Sequence, residues 1–237
     1  MIFSEKPAII GHRGSGSHAV EENSIDSLRA ATAAGASWIE IDVQRTLDDT
    51  LVLRHNPTTA GGDFLVELTA ADSGLPRLTE IFEALPPEIG INLDIKTILE
   101  DAVDAPARRT GPLLVPLLAA EARRRPLLVT SFDAALLSHL RDNLPGVPLG
   151  LLTWMTFPAG HAVAAAAGLG LQAVALHTGS LTGRPRSAEH TVRVAHEAGL
   201  EVLVWCPIPE EVPGFVAAGV NGLIVDDVRG TVEALAS

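Results

Sequence analysis

Short apolar runs recur along the chain, each too brief for a helix and each bounded by turn residues: Ala8–Gly11, Trp38–Val43, Ile91–Ile95, Leu127–Thr130, Leu149–Leu152, Ala173–Leu176, Val202–Trp205 and Gly222–Val225. These are eight predicted strands. Between most of them lie Ala-rich stretches with helix-forming character: Ser24–Gly35, Leu78–Leu85, Leu113–Arg124, Ala134–Asn143, Gly160–Gly168, Ala188–Gly199 and Glu210–Ala218. Strict alternation of strand and helix predicts a parallel α/β fold, and eight units predict a closed TIM-type (β/α)8 barrel forming one domain over residues 1–237. An open doubly wound sheet is the competing architecture. Asn23-Ser24 supplies cap residues before the first helix, and Gly35, Gly199 and Gly219 close helices. A further run, Leu51–His55, follows the Asp48-Asp49 turn and is expected to pair with the preceding strand, leaving Asn56–Gly74 as the one long loop.

Composition agrees with a parallel core. Of 237 residues, 47% are hydrophobic but only 4% aromatic, and tyrosine is absent, so Ala, Val, Leu and Ile must fill the interior. Lys and Arg total 17 against 29 acidic residues, a net charge of -12 that repels nucleic-acid phosphates and argues against a nucleic-acid partner. The single cysteine, Cys206, excludes an intramolecular disulfide and is read as a small buried hydrophobe. No segment has the form of a signal peptide or a membrane span, so the expected location is the cytoplasm, without stable membrane association.

In a barrel of this kind the C-terminal strand ends converge on the active site. Here they deliver His12 and Arg13 from the first strand, Glu40 and Asp42 from the second, His55 from its extension, and Asp94 and Lys96 from the third. Glu40 and Asp42 are two residues apart within Trp38-Ile-Glu-Ile-Asp-Val, so both side chains take one face. Two acids aimed into a lumen are costly without a compensating cation or proton. With Asp94 they offer three oxygen donors of the kind that hold Mg²⁺ or Ca²⁺, while Lys96 adds a cation. Structural ion pairs with Arg13 and Lys96 are the alternative use of these acids. His12 and His55 flank the cluster as a candidate general acid and base, and Arg13 matches a pair of phosphate oxygens, which points to a small phosphodiester substrate. Gly14-Ser-Gly16 is read as a flexible loop, because no helix starts directly after it.

Taken together, Gly11-His-Arg-Gly, Glu22-Asn-Ser, Glu40-Ile-Asp-Val-Gln-Arg-Thr with Asp48 following, His55, Asp94-Ile-Lys, Thr130-Ser-Phe-Asp, Val204-Trp and Gly219-Val-Asn-Gly-Leu-Ile-Val-Asp resemble the glycerophosphodiester phosphodiesterases. The resemblance implies a TIM barrel that uses a divalent cation to hydrolyse glycerophosphodiesters to sn-glycerol 3-phosphate and an alcohol. It further implies His12 and His55 as the acid and base, Glu40, Asp42 and Asp94 as metal ligands, Arg13 and Lys96 on the phosphate, and Glu22 as a site residue. Trp205 and His177, closing the seventh and sixth strands, are candidates for the substrate pocket. Three positions depart from the pattern. The third ligand is usually glutamate, and Asp94 has a shorter reach, as in sphingomyelinase D-like enzymes. The aspartate that usually follows the second histidine is Asn56, and Cys206-Pro-Ile replaces the usual segment after the tryptophan. Two rivals follow: a lipid phosphodiesterase of phospholipase type, for which Phe64-Leu-Val and Trp154-Met-Thr-Phe are the only and small apolar loops, and a non-catalytic phosphodiester-binding barrel. Oligomeric state and headgroup are not legible.

Overall fold

The structure, a computed structural model, describes residues 1–15, 20–182 and 187–236. Gly16 of the loop noted above therefore lies outside the described residues. The strands are β1 (Ala8–Gly11), β2 (Trp38–Arg45), β3 (Leu51–Leu53), β4 (Gly90–Ile95), β5 (Leu127–Ser131), β6 (Leu149–Leu152), β7 (Ala173–His177), β8 (Glu201–Trp205) and β9 (Gly222–Val225). The helices are α1 (Ile25–Ala33), α2 (Ala70–Ser73), α3 (Leu78–Ala84), α4 (Thr110–Glu121), α5 (Ala134–Asn143), α6 (Ala159–Gly168), α7 (Thr178–Leu181), α8 (Ala188–Glu197), α9 (Val212–Ala217) and α10 (Val228–Ala236). Apart from β3, every neighbouring pair of strands is parallel, and pairing of β1 with β2 (Ile10 to Trp38, Gly11 to Ile39) closes the sheet into an eight-stranded barrel. β3 folds back antiparallel on β2, with Val43 opposite Leu53, as the Asp48-Asp49 turn predicts.

Strand periodicity sorts side chains between two cores. One alternate set faces the helices and forms the larger core, with Ile39, Ile41, Ile91 and Leu93 fully buried in it. The other set faces the lumen, where Ile10, Trp38, Leu128, Ala173, Leu203 and Ile224 pack together. Phe3, from the segment before β1, meets Trp38 edge-on at 5.0 Å and contributes to this lumen core. The opposite, C-terminal end of the lumen is polar.

Local signals set the entry to that end. Ser24 caps α1, its hydroxyl accepting from Ser27 N, and Asp133 caps α5 by accepting from Ala135 N and Leu136 N. Gly14, with φ of 102°, lets the loop after β1 press onto α1; a Cβ there would lie 2.2 Å from Ser27 Oγ.

Several boundaries differ from the sequence reading. The fourth helix runs over Thr110–Glu121 rather than Leu113–Arg124, because Asp101 Oδ1 accepts from Thr110 N and starts it earlier. Arg125, just beyond its end, turns inward to bind main-chain oxygens of Phe82, Leu85 and Pro86. The long loop contains a 3₁₀ turn (Leu65–Glu67) and α2. The final helix α10 was not among the predicted elements; Gly230 and Thr231 in its middle are poor helix formers.

Candidate functional site

β2 and β4 lie side by side with Asp42 opposite Asp94, so the alternation that points Glu40 and Asp42 into the lumen brings Asp94 against them. Ligand oxygens of the three carboxylates lie within 4.8 Å of one another, and all three residues are buried. Lys96 crosses the cluster from the end of β4. Its Nζ is 2.9 Å from Asp42 Oδ1, pairs with Asp94 Oδ2, and sits 5.5 Å from the centre of the Phe132 ring.

Arg13 lies on the other side. Its Nε is 3.2 Å from Asp42 Oδ2, its Nη1 donates to Glu22 Oε2 at 2.9 Å, and its backbone N donates to Glu40 Oε2 at 2.9 Å. Arg13 holds a left-handed backbone (φ 53°), an uncommon conformation for a side chain of this size that aims its N–H at the carboxylate. Glu22 thus joins the site through Arg13, ahead of the α1 cap. Asn23, also left-handed (φ 57°), clamps Asp42: Asn23 Nδ2 donates to Asp42 Oδ2 at 2.9 Å, and Asp42 N donates to Asn23 Oδ1 at 3.0 Å.

The charges are not balanced by these cations alone. Burial, reinforced by the Asp42 carboxylate, pushes Glu40 up to about 8 against the opposing pull of His12. Burial likewise raises Asp94 to about 6, although Lys96 opposes it. Asp42 goes the other way: burial is outweighed by Lys96, Arg13 and the Asn23 hydrogen bond, which hold it below the usual carboxylate range. Asp94 Oδ1 is buried with no hydrogen-bond partner among the described residues. A buried oxygen without a donor, inside three crowded carboxylates, fits a divalent oxygen-seeking cation, and Glu40, Asp42 and Asp94 are the residues that would hold it.

The two histidines differ in environment. Burial disfavours charge on His12, but a 2.6 Å contact from its Nδ1 to Asp226 Oδ1, together with Cys206 and Glu40, outweighs burial and lifts its pKa well above the ordinary value. Its Nε2 is 4.0 Å from Glu40 Oε2. His55 is lowered, chiefly by burial and further by Arg13 and Lys96; its Nδ1 lies 2.9 Å from Asn56 Oδ1. His12, Arg13, Glu40, Asp42, His55 and Asp94 all open onto one cavity of about 830 Å³, as do Lys96 and Trp205. His177 stands beside Trp205, edge-on at 4.4 Å, and its Nδ1 accepts from Gly179 N at 3.0 Å.

Asp226 and Asn23 hold site residues in place, and the sequence reading assigned them neither role. Asp226 follows β9, and only closure of β9 onto β1 brings it to His12. Cys206, expected as a buried hydrophobe, is only partly buried; it follows β8 with φ of 55° and its Sγ lies 3.8 Å from His12 Nδ1.

Comparison with known proteins places this geometry in context. The pattern of the glycerophosphoryl diester phosphodiesterase family matches residues 12–229. A glycerophosphodiester phosphodiesterase of Caldanaerobacter subterraneus subsp. tengcongensis is 26% identical over an alignment covering 94% of this chain and 95% of the relative. Among solved structures, a glycerophosphodiester phosphodiesterase from Thermotoga maritima superposes with a TM-score of 0.77 at 20% identity, covering 98% of this chain and 99% of its own. An Oleispira antarctica phosphodiesterase in complex with the product sn-glycerol-3-phosphate gives 0.79 at 22% identity, covering 98% of both chains. With a match spanning nearly its whole length, the chain belongs to the glycerophosphoryl diester phosphodiesterase family.

Proposed function

We propose that this enzyme hydrolyses glycerophosphodiesters to sn-glycerol 3-phosphate and an alcohol, with His55 as general base, His12 as general acid and a divalent cation, Mg²⁺ or Ca²⁺, at Glu40, Asp42 and Asp94. The observation that carries the reading is the trio of buried carboxylates at adjacent strand ends, flanked by two histidines and two cations in one cavity. The product bound by the Oleispira phosphodiesterase is in keeping with it.

The histidine roles follow from their surroundings, since environments that push two pKa values apart divide acid from base. His55, lowered, is neutral near pH 7 and free to accept a proton from the attacking hydroxyl. His12, raised, carries a proton to give to the departing alcohol oxygen, and Asp226 keeps its Nδ1 occupied so that Nε2 faces the lumen. Arg13 and Lys96 stabilise negative charge on the phosphoryl oxygens, and Glu22 and Asn23 orient Arg13 and Asp42. The cation, when bound, would polarise the phosphoryl group and neutralise developing charge. Trp205 packs against the substrate, with His177 supporting its ring. The substrate is a small molecule, and the single cysteine accords with a cytoplasmic setting.

Replacing His12 or His55 by Ala tests the assignment. Each variant should keep the fold and lose on the order of 10²–10⁴ in turnover, the usual contribution of a general acid or base. Undiminished turnover in either would remove that residue from its role.

A further inference from the structure

His12 presents its two ring nitrogens to two different sets of donors. Nε2 faces the carboxylates, 4.0 Å from Glu40 Oε2, whereas Nδ1 faces a second set. There Asp226 Oδ1 lies at 2.6 Å and Cys206 Sγ at 3.8 Å, and ligand atoms of these three residues all fall within 4.8 Å of one another. The three come from the ends of neighbouring strands, β1, β8 and β9, and the main chain fixes two of them: His12 N donates to Val225 O at 3.0 Å and Cys206 N to Ile224 O at 2.9 Å. Cys206 holds a left-handed backbone (φ 55°), an uncommon conformation for a residue with a side chain. Asp226 has 59% of its side chain open to water, so an ion has a path in from solution. In the reaction proposed above the thiol neither binds substrate nor exchanges a proton.

A sulfur, an imidazole nitrogen and a carboxylate oxygen are donors that a thiophilic divalent ion takes, three from the protein with a fourth position left for water. Mg²⁺ and Ca²⁺ take oxygen, so the all-carboxylate trio and this mixed set sort ions by softness. Tetrahedral Zn²⁺, with bonds of about 2.0–2.3 Å, sets its donors about 3.4–3.6 Å apart. The sulfur already stands near that separation from Nδ1, and the carboxylate has to back away by only about 0.8 Å, an easy swing for a side chain in water. We propose that His12, Cys206 and Asp226 form a second cation site, for a soft ion of the Zn²⁺ class, and that its occupation switches the enzyme off. The inhibitory half rests on the phosphodiesterase reading above; the site itself does not. Binding releases the proton of Cys206 Sγ and the proton on His12 Nδ1, leaving a thiolate, a carboxylate and a neutral imidazole around a doubly charged cation, so the charges cancel. The ion then takes the place of the Nδ1 proton and its hydrogen bond to Asp226, and the ring is no longer the imidazolium that protonates the departing alcohol.

The test is a Co²⁺ titration of the full-length protein in excess Mg²⁺, which keeps the carboxylate trio supplied with a hard ion. Cys206 is the only cysteine of the chain, so a thiolate-to-cobalt charge-transfer band in the near ultraviolet can arise only there. The expected result is that band, its loss when Zn²⁺ is added, protection of Cys206 from iodoacetamide by Zn²⁺, and release of sn-glycerol 3-phosphate from glycerophosphocholine that falls in step with Zn²⁺ occupancy. Losing a group that merely supports a ligand costs roughly 10–100-fold in metal affinity, so Cys206→Ser should need at least about tenfold more Zn²⁺ for half-inhibition, measured against its own turnover without Zn²⁺. His12→Ala should weaken the Co²⁺ titration, a readout independent of activity. Neither band nor protection in the wild-type protein would overturn the site without reference to any variant. A titration unchanged in His12→Ala would reduce the site to a lone thiol and overturn it as well. Inhibition unchanged in Cys206→Ser would place the ion at Glu40, Asp42 and Asp94 and overturn the proposal. Zn²⁺ bound at Cys206 with turnover undiminished would overturn the inhibitory half. The band, with no turnover of glycerophosphocholine under any cation, would sustain the site and overturn the phosphodiesterase reading instead.

Discussion

At His55 the partner on Nδ1 is an amide: Asn56 Oδ1, 2.9 Å away, offers a hydrogen bond without a charge. Its influence is too small to offset burial, Arg13 and Lys96, and the imidazole stays below its ordinary pKa. An Asn56→Asp variant would add a carboxylate at hydrogen-bonding distance, which favours the charged imidazolium and raises the pKa by the order of one unit. If His55 is the base, the acidic limb of the kcat/KM profile reports its deprotonation, so that limb should move to higher pH. A limb that stays in place while activity persists would contradict the assignment. His12 shows how far a residue's chemistry depends on distant chain. Its partner Asp226 is 214 positions away, in the last βα unit, and the two meet only because β9 lies beside β1.

Among the elements, the parallel strands were the most legible. Covered by helices outside and packed side chains inside, they are apolar on both faces and read as unbroken runs. Glu40, Asp42 and Asp94 were legible for the complementary reason: acids inside apolar runs, Glu40 and Asp42 two residues apart on one face, stand out as candidates for a polar lumen. Asp226 had no such signal, since Val225 is followed by two aspartates and only closure of the barrel decides which one meets His12. Arg125 was equally silent. It ends a run of basic residues, yet its side chain is fully buried between α4 and the end of α3, pairing with Glu121 and donating to the carbonyls of Phe82, Leu85 and Pro86. Phe82 O lies in the last turn of α3, where carbonyls lack helical partners, and Leu85 O and Pro86 O lie just after it, the last also accepting from Ile89 N. Arg125→Met would remove the guanidinium donor from the Phe82 and Leu85 carbonyls and leave the buried Glu121 only the exposed Arg124, and breaking a buried pair from one side costs about 3–5 kcal/mol. Urea unfolding should show a loss of that order; a change below about 1 kcal/mol would mean that water replaces the guanidinium there.

For the whole molecule, the proposed cation site would link stability to both pH and metal. Glu40 rises from an ordinary 4.5 to about 8 in the folded chain, so the folded state holds a proton that the unfolded state releases. Its contribution is fully present below the unfolded pKa and is lost as pH climbs through about 8, at up to about 1.4 kcal/mol per pH unit within that window. Without metal, the protein should therefore melt at a lower temperature near pH 9 than near pH 6. A divalent cation replaces the proton, so added Mg²⁺ or Ca²⁺ should raise the melting temperature more near pH 9 than near pH 6. Equal effects at the two pH values would separate Glu40 from the cation site.

The most direct measurement is release of sn-glycerol 3-phosphate from glycerophosphocholine and glycerophosphoethanolamine, with added Mg²⁺ or Ca²⁺, after EDTA, and after cation is restored. The account predicts release that EDTA abolishes and cation restores, and that falls sharply in an Asp94→Asn variant. Release indifferent to EDTA, or none from folded protein under any cation, would contradict it.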